Sequence, residues 1–234
     1  MWDKSRELNS LSSALLVISL LLALLAALYQ MLHSPLFALR AVRMDVAPQH
    51  LTAAQIGAVV RNELRGNFFT IDLDATRRTF EKLPWVRTVN VRRQFPWQLV
   101  VTLEEHVVLA SWNGTALVNT HGEVFQAEYE AAVPSFMGLP ESAAEVTRMY
   151  AALAGQLAPL NQGITQISLS PRYAWQLQLS NGMVLKLGRE QPQQRLARFV
   201  AVYPYSLAPI ENTVSYVDLR YRNGFAAYRQ DGAS

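Results

Sequence analysis

The chain has no cysteine among its 234 residues, which excludes disulfide bonds and thiolate metal sites. Its four histidines show none of the i, i+4 pairing around a glutamate that marks a zinc-protease helix. A nucleophile elbow, a Ser-x-x-Lys motif and a glycine-rich phosphate loop are also missing from the sequence. These absences predict a protein that is not an enzyme and that carries no cofactor or metal.

Charge is missing from the whole stretch between Glu7 and Arg40, and 11–32 is almost entirely Leu, Ala, Val and Ile. At about 1.5 Å per residue this run is roughly 33 Å long, enough to cross a hydrocarbon core of about 30 Å. The sequence therefore predicts a transmembrane helix over 11–32. A cleaved signal peptide is the alternative, but its apolar region is typically shorter and no Ala-x-Ala site stands near the end of this one.

Orientation in the membrane is weakly marked by charge, because Lys4 and Arg6 are offset by Asp3 and Glu7. The short tail 1–10 and the large region after the helix, which contains no second long apolar run, favour a cytoplasmic N-terminus. We therefore expect a bitopic inner-membrane protein, single-pass type II, with its C-terminal domains in the periplasm.

The charge balance is only mildly basic, with a net charge of +3. Most arginines near the middle of the chain alternate with apolar residues, as the solvated faces of a helix and a strand do, so no nucleic-acid partner is expected. Glu104 and Glu105 resemble a catalytic carboxylate pair. Neighbouring strand residues point to opposite faces, however, so the two cannot act together on one substrate as acid and base. Glu105 with His106 as a metal pair is a weaker alternative still.

A first folded domain is expected over 36–105 in the order β-α-α-β-β. A strand is predicted where Val42, Met44 and Val46 alternate with polar residues. A capping box at Thr52 and Gln55 opens the first helix. A second helix is predicted from about Leu73 to Leu83, with Asp72 and Asp74 at its positive N-terminal end and Pro84 ending it. Two alternating runs then form a hairpin around Phe95-Pro96-Trp97, and Trp85 is predicted to be a buried core anchor.

A second domain is expected over 106–229, with a short tail at 230–234. Turns are predicted at Asn113-Gly114, Asn181-Gly182 and Asn223-Gly224, because the Asn-Gly pair tolerates positive φ. Apolar stripes at helical spacing predict helices from about 141 to 158 and from about 192 to 207. The fold class is therefore α+β, and this domain is expected to be an antiparallel β-sheet with two packed helices.

Short motifs along the whole chain resemble the FtsQ/DivIB family of bacterial cell-division proteins. In the first domain, which resembles the FtsQ-type POTRA domain, they are Gly66-Asn67-Phe68-Phe69, Leu83-Pro84-Trp85-Val86 and Val91-Arg92-Arg93. In the second they are Leu187-Gly188-Arg189, Leu196-Ala197-Arg198-Phe199-Val200 and Tyr216-Val217-Asp218-Leu219-Arg220-Tyr221.

The resemblance implies a membrane-anchored scaffold at the division septum, which binds FtsB and FtsL and helps to localise and control septal peptidoglycan synthesis. It also implies that FtsK and other divisome proteins are recruited through the POTRA domain. The alternative is a generic POTRA module that docks polypeptides in an export or outer-membrane assembly system, and a third class, a periplasmic cell-wall enzyme, calls for a polar site that this sequence lacks.

The resemblance further places the FtsB-binding edge on the C-terminal hairpin. The residues at matching positions are Arg220, Tyr221, Asn223, Gly224, Phe225 and Ala226, with Tyr228 just beyond and Arg172 as a separate candidate for pairing with an acidic partner residue. An exposed sheet edge accepts a strand from a partner through main-chain hydrogen bonds.

Overall fold

The computed structural model describes residues 4–221 and 224–229. The contacts within the chain divide it into two compact units, 1–105 and 106–234. The first unit begins with helix α1, Lys4–Leu32. Within α1, the segment Asn9–Leu32 is long and apolar enough to cross a membrane, judged by length and composition.

The rest of the first unit follows the predicted order β-α-α-β-β. Its elements are β1 (Ala41–Met44), α2 (Ala53–Glu63), α3 (Leu73–Phe80), β2 (Val86–Gln94) and β3 (Gln98–Glu105). The sheet order is β1-β3-β2, in which β2 and β3 form the predicted antiparallel hairpin and β1 lies parallel to β3. The leading strand is shorter than predicted, because it ends at Met44 and leaves Val46 exposed outside it.

Helices α2 and α3 start at the predicted residues. The Thr52 hydroxyl accepts the Gln55 N–H, and the Gln55 side chain accepts the Thr52 N–H in return. Asp72 accepts the Ala75 N–H at 2.9 Å. Helix α3 ends at Phe80, three residues before the predicted Leu83, and Phe80 is fully buried in the core between the helices and the sheet.

The prediction that Trp85 is a buried anchor was wrong in degree. Trp85 is half-buried at the margin of the core, where its ring stacks on the exposed His50 with 3.9 Å between ring centroids. His50 in turn lies with Nδ1 3.1 Å from Glu105 Oε2. Trp85 therefore closes the edge of the core instead of filling its centre.

Within the described residues, the second unit contains nine strands in one sheet. They are β4 (Val108–Trp112), β5 (Ala116–Asn119), β6 (Val124–Phe125), β7 (Ser135–Met137), β8 (Ile164–Leu169), β9 (Trp175–Leu179), β10 (Val184–Gly188), β11 (Val214–Asp218) and β12 (Ala226–Arg229). Their order across the sheet is β12-β11-β10-β9-β8-β7-β4-β5-β6. The α+β class is confirmed.

The sheet is mixed, whereas a wholly antiparallel one was predicted. The β7·β8 and β10·β11 pairs are parallel because each is joined by a crossover helix, α4 (Ala143–Leu157) and α5 (Pro192–Ser206) respectively. The β4·β7 pair is also parallel. The two helices share one buried core with the sheet, and both lie within a residue or two of their predicted ends.

The Asn113-Gly114 turn has the predicted geometry. Asn113 has φ 50° and Gly114 φ 72°, and the Thr115 N–H donates to the Trp112 carbonyl at 3.1 Å. Positive φ at both central residues identifies a type I′ turn. It joins β4 to β5 directly.

Candidate partner-binding edge

Strand β12 stands at one end of the nine-stranded sheet. It pairs antiparallel with β11, with Asp218 opposite Ala226 and Tyr216 opposite Tyr228. Within the part of the chain that the structure describes, no strand pairs with its other side. Such an edge offers unpaired N–H and C=O groups to a further strand.

The direction of each peptide group on β12 follows from its neighbours. The Leu219 N–H donates to the Lys186 carbonyl on β10, so the peptides of Tyr216 and Asp218 face β12. The residues opposite them, Ala226 and Tyr228, consequently face β11, and the Ser215 hydroxyl donates to the Tyr228 carbonyl from that side. The outward N–H groups therefore belong to Ala227 and Arg229, and the N–H of Ala226, one of the predicted partner-binding residues, points to β11.

A row of stacked side chains lies on the sheet face turned away from the helices. The Tyr216 and Tyr228 rings are 4.2 Å apart and nearly parallel, and Lys186 Nζ lies 3.8 Å from the Tyr216 ring centroid. An ammonium over an aromatic face is an attractive cation–π contact. This row, which we call the tyrosine stack, presents one cation and two hydroxyl-bearing rings beside the open edge.

Arg220, two residues beyond the end of β11, is held by Asp218. Its Nε and Nη2 donate to the two carboxylate oxygens at 2.9 and 2.6 Å, and its backbone N–H donates to Asp218 Oδ1 at 3.0 Å. The Asp218 side chain is only 6% exposed, whereas that of Arg220 is 61% exposed. Hydrogen bonds from the Arg220 side chain outweigh burial and lower the pKa of Asp218 below its ordinary value of 3.8.

Gly188 marks a close approach beside this ion pair. It has φ 74°, and a Cβ there would lie 2.7 Å from Arg195 Nη1 and 3.0 Å from Arg220 Cγ. Arg195 donates from Nη1 to the Leu187 carbonyl at 2.6 Å. A glycine is required here both by the positive φ and by the two arginines that cross over it.

On the helix side of the edge, Phe225 closes a cleft of about 550 Å³ against α5. Phe225 is half-buried and its ring lies 6.1 Å from that of Phe199 in an edge-to-face arrangement. Arg195 and Arg198 line the same cleft. Phe225 thus anchors the start of β12 to the core.

The structure groups most of the predicted site residues but not all. Tyr221 and Gly224 lie in the connection between β11 and β12, with the Tyr221 side chain exposed. Asn223 lies outside the described residues. Arg172 is exposed in the β8–β9 turn. This turn lies along the same border of strand ends as the β11–β12 connection, but β9 is three strand spacings from β12. At about 4.8 Å per strand spacing this is roughly 15–20 Å.

Sequence reasoning did not identify Lys186 and Tyr216 as parts of the site. For Tyr216 a signal was available. Its alternation with Val217 puts it on the same sheet face as Tyr228 once the two strands are paired. Glu105 and His106, weighed as a metal pair, have separate partners: Glu105 accepts the Gln49 and His50 N–H groups, and His106 Nδ1 lies 2.8 Å from Asn119 Nδ2.

Comparison with known proteins gave matches over both units. Residues 37–106 match the family model "POTRA domain, FtsQ-type", and residues 110–220 match "Cell division protein FtsQ/DivIB, C-terminal". The cell division protein FtsQ of Nitrosospira multiformis is 42% identical over 232 residues, covering 97% of this chain and 98% of its own. That of Burkholderia pseudomallei is 43% identical over 233 residues, covering 97% and 93%. That of Neisseria gonorrhoeae is 30% identical over 227 residues, covering 97% and 94%.

Proposed function

Because the chain belongs to the FtsQ/DivIB family of cell-division proteins, we propose that it is a bitopic scaffold of the divisome that binds FtsB and FtsL. In this proposal it binds its partners without turning over a substrate, and it acts on septal peptidoglycan synthesis through the proteins it holds. Its POTRA domain contributes the contact to FtsK and other recruiting proteins.

The open side of β12 is the observation that carries the proposal. The outward N–H and C=O groups of Ala227 and Arg229 supply two positions for a ladder with an added strand. A sheet edge of this kind invites aggregation unless it is protected or occupied. Occupation by an FtsB segment meets that requirement.

Side chains beside the edge supply a basis for partner choice. The tyrosine stack lies on the sheet face beside β12. Arg220 and Tyr221 lie in the connection that leads from β11 into β12, and the Tyr221 side chain is exposed. Tyrosine and arginine are enriched among the few interface residues that dominate binding energy. In this proposal the exposed Arg172 pairs with an acidic residue on a part of the partner that extends beyond the added strand.

The membrane topology in the proposal rests on α1. Its segment Asn9–Leu32 is inserted with the N-terminus in the cytoplasm, and the POTRA domain and the second unit lie in the periplasm. A periplasm-active enzyme fused to the C-terminus is expected to be active, and a fluorescent protein that matures only in the cytoplasm is expected to be dark. The reverse result would overturn this orientation.

The decisive experiment removes one outward donor from β12. Ala227→Pro deletes the N–H that faces the open side, while Ala227→Val keeps that N–H and the extended backbone. With the full-length protein in nanodiscs and an FtsB periplasmic fragment, the proline variant is expected to bind about tenfold more weakly, the effect of losing about one hydrogen bond. The valine variant is expected to stay within about twofold.

Circular dichroism and thermal unfolding provide the folding control for both variants. If a well-folded Ala227→Pro protein binds the fragment as tightly as the wild type, FtsB does not add a strand to β12. In that case the proposed docking mode is wrong, even though the family assignment stands.

A further inference from the structure

An aromatic cluster lies next to the junction between α1 and the POTRA domain. Phe37 packs against Phe69 and Trp97 with ring centroids 5.1 Å away in each case, and Trp97 contacts Phe95 at 5.5 Å. We call Leu36, Phe37, Phe69, Phe95 and Trp97 the aromatic rim. Its members come from three separate segments of the chain, at 36–37, 69 and 95–97.

Much of the rim is turned outward. Leu36 is 77% exposed, Phe95 75% and Phe69 46%. Scattered apolar residues on a surface need no explanation, but here rings from three segments each contact Trp97, and exposed apolar patches mark interaction sites. Trp97 and Phe37 are half-buried beneath these three and form the base on which they rest.

Polar contacts fix the rim in place. Arg93 donates from Nε to the Phe68 carbonyl and from Nη2 to the Ile71 carbonyl, each at 2.7 Å, and so ties the 68–71 loop to the end of β2. The buried Asn67 accepts the Phe69 and Thr70 N–H groups, both at 3.0 Å. The exposed rings are therefore held on a rigid support.

The same asparagine ties this loop to the end of α1. Asn67 Nδ2 donates to the Leu32 carbonyl at 2.5 Å and to the Ser34 carbonyl at 3.3 Å. The Phe68 N–H donates to the Phe37 carbonyl at 2.9 Å, and the Arg40 N–H to the Trp97 carbonyl at 2.9 Å. Leu32 is the last residue of the apolar span, so the rim begins where that span ends.

Charge in the stretches that surround the rim is mainly positive. The stretches 33–40, 64–71 and 93–97 contain Arg40, Arg65 and Arg93 and no aspartate or glutamate, and Glu63 and Asp72 border the second stretch. Arg40 and Arg65 are exposed. Arginines beside an apolar patch suit the phosphate layer of a bilayer, and Trp, Phe and Leu are the apolar residues that surface-bound segments bury at the boundary between headgroups and acyl chains.

We propose that the aromatic rim lies in the headgroup region of the leaflet from which α1 emerges, and that lipid is its occupant. This inference rests on the proposed function in one respect, since it requires α1 to span the membrane. In that arrangement the bilayer holds the POTRA domain at a defined tilt. The helix alone, as a single attachment point, does not specify that tilt.

Depth in the bilayer is measurable because the chain has no cysteine to remove. Nitroxide labels are placed one at a time at Phe95→Cys, at the neighbouring exposed Gln94→Cys and at Val46→Cys in the full-length protein. Val46 is the matched control, because it is 62% exposed and follows the far end of β1, away from Trp97. A fourth label, at Leu21→Cys, reports on the middle of α1.

In nanodiscs that contain only lipid and this protein, each label is tested for collision with oxygen, which partitions into lipid, and with a water-soluble nickel chelate. The ratio of oxygen to chelate accessibility is expected to be several-fold higher at positions 95 and 94 than at 46, and highest at 21. Equal ratios at 94, 95 and 46 beside a deep label at 21 would overturn the lipid contact and leave the anchor intact. An aqueous label at 21 would overturn the anchor, and the lipid contact with it.

A second variant tests whether the rim causes the depth. In the Gln94→Cys protein, Phe95→Asp is expected to lower the ratio towards that of position 46, whereas Tyr173→Asp, at an exposed aromatic in the second unit, is expected to leave it unchanged. A ratio that Phe95→Asp does not alter would assign the depth to α1 alone and overturn the role of the rim. A rim that is aqueous in nanodiscs but protected in cells would identify a protein occupant and overturn the lipid one.

Discussion

Arg220 binds Asp218 through a two-pronged ion pair, with Nε–Oδ1 at 2.9 Å and Nη2–Oδ2 at 2.6 Å. The pair fixes the backbone exit of β11 just before the connection to the edge strand. The acid is buried and the guanidinium is exposed, so the same arginine holds the fold and still faces solvent. A substitution of Arg220 that weakens partner binding therefore needs a stability control before it is assigned to the interface.

Stability of the second unit is expected to fall in acid. Asp218 has a pKa lowered in the folded state, so its contribution is complete above the ordinary value of 3.8 and is lost as pH falls through the lower, folded value. Urea unfolding from neutral pH to below about 4 should show this loss. Asp218→Asn should make the free energy of unfolding fall less steeply in acid. Asp74→Asn replaces an exposed carboxylate on α3 and should leave the acid dependence unchanged.

Trp85→Ala is expected to cost less than a truncation at the centre of the POTRA core. Phe80 is fully buried, so Phe80→Ala should cost about 3–5 kcal/mol, the range for a large aromatic core residue. Trp85 is half-buried and stacked on His50, so about half of that range is expected. Chemical denaturation of both variants tests the order, and a larger loss for Trp85→Ala would place that residue at the core centre after all.

Tyr203→Phe is expected to destabilise the second unit by about 1.5–3 kcal/mol, the scale of a hydrogen bond to a charged group. The buried Tyr203 hydroxyl donates to Glu211, and burial together with that carboxylate raises the pKa of Tyr203 to about 12, so the donor proton stays on at neutral pH. Tyr205→Phe is the matched control on the exposed side of α5. Equal melting temperatures for the two variants would contradict this role of the hydroxyl.

Tyr221→Ala is expected to weaken FtsB binding by about 2 kcal/mol or more, roughly thirtyfold, if Tyr221 is one of the dominant interface residues. Its side chain is exposed at the entrance to the open edge. Tyr205→Ala removes an exposed tyrosine elsewhere on the same unit and should leave affinity unchanged. Titration of an FtsB fragment against both proteins decides the matter, and matching affinities would remove Tyr221 from the interface.

Two glycines near the edge should respond differently to alanine. Gly188→Ala combines a positive φ with a Cβ 2.7 Å from Arg195 Nη1, so a loss of about 1–3 kcal/mol is expected. Gly224→Ala meets no atom within 4 Å and should change stability by less than about 0.5 kcal/mol. Thermal unfolding of the pair checks the contrast, and a tolerated Gly188→Ala would show that the arginines move aside.

Structural features that depend on a few neighbouring residues were predicted correctly. The capping box at Thr52, the aspartate cap at Asp72, the Asn113-Gly114 turn and the β2–β3 hairpin all appear where the sequence placed them. The order of helices around β10 and β11 also contained a signal that was not used, because a strand-helix-strand unit favours parallel pairing. Caps, turns and alternation act within a few residues, so the local sequence is enough to determine them.

The candidate edge depends on strand pairings between residues that are far apart in the chain. The sequence by itself determined an apolar span, the β-α-α-β-β order and a C-terminal pair of strands, because each follows from local periodicity and turn chemistry. Only the tertiary structure decided that β12 ends the sheet, that Ala227 and not Ala226 points its N–H outward, and that Arg172 lies three strands away. The physical reason is that strand order and register come from pairings between residues far apart in the chain, as in β4 with β7, and no local pattern encodes that these two strands become neighbours.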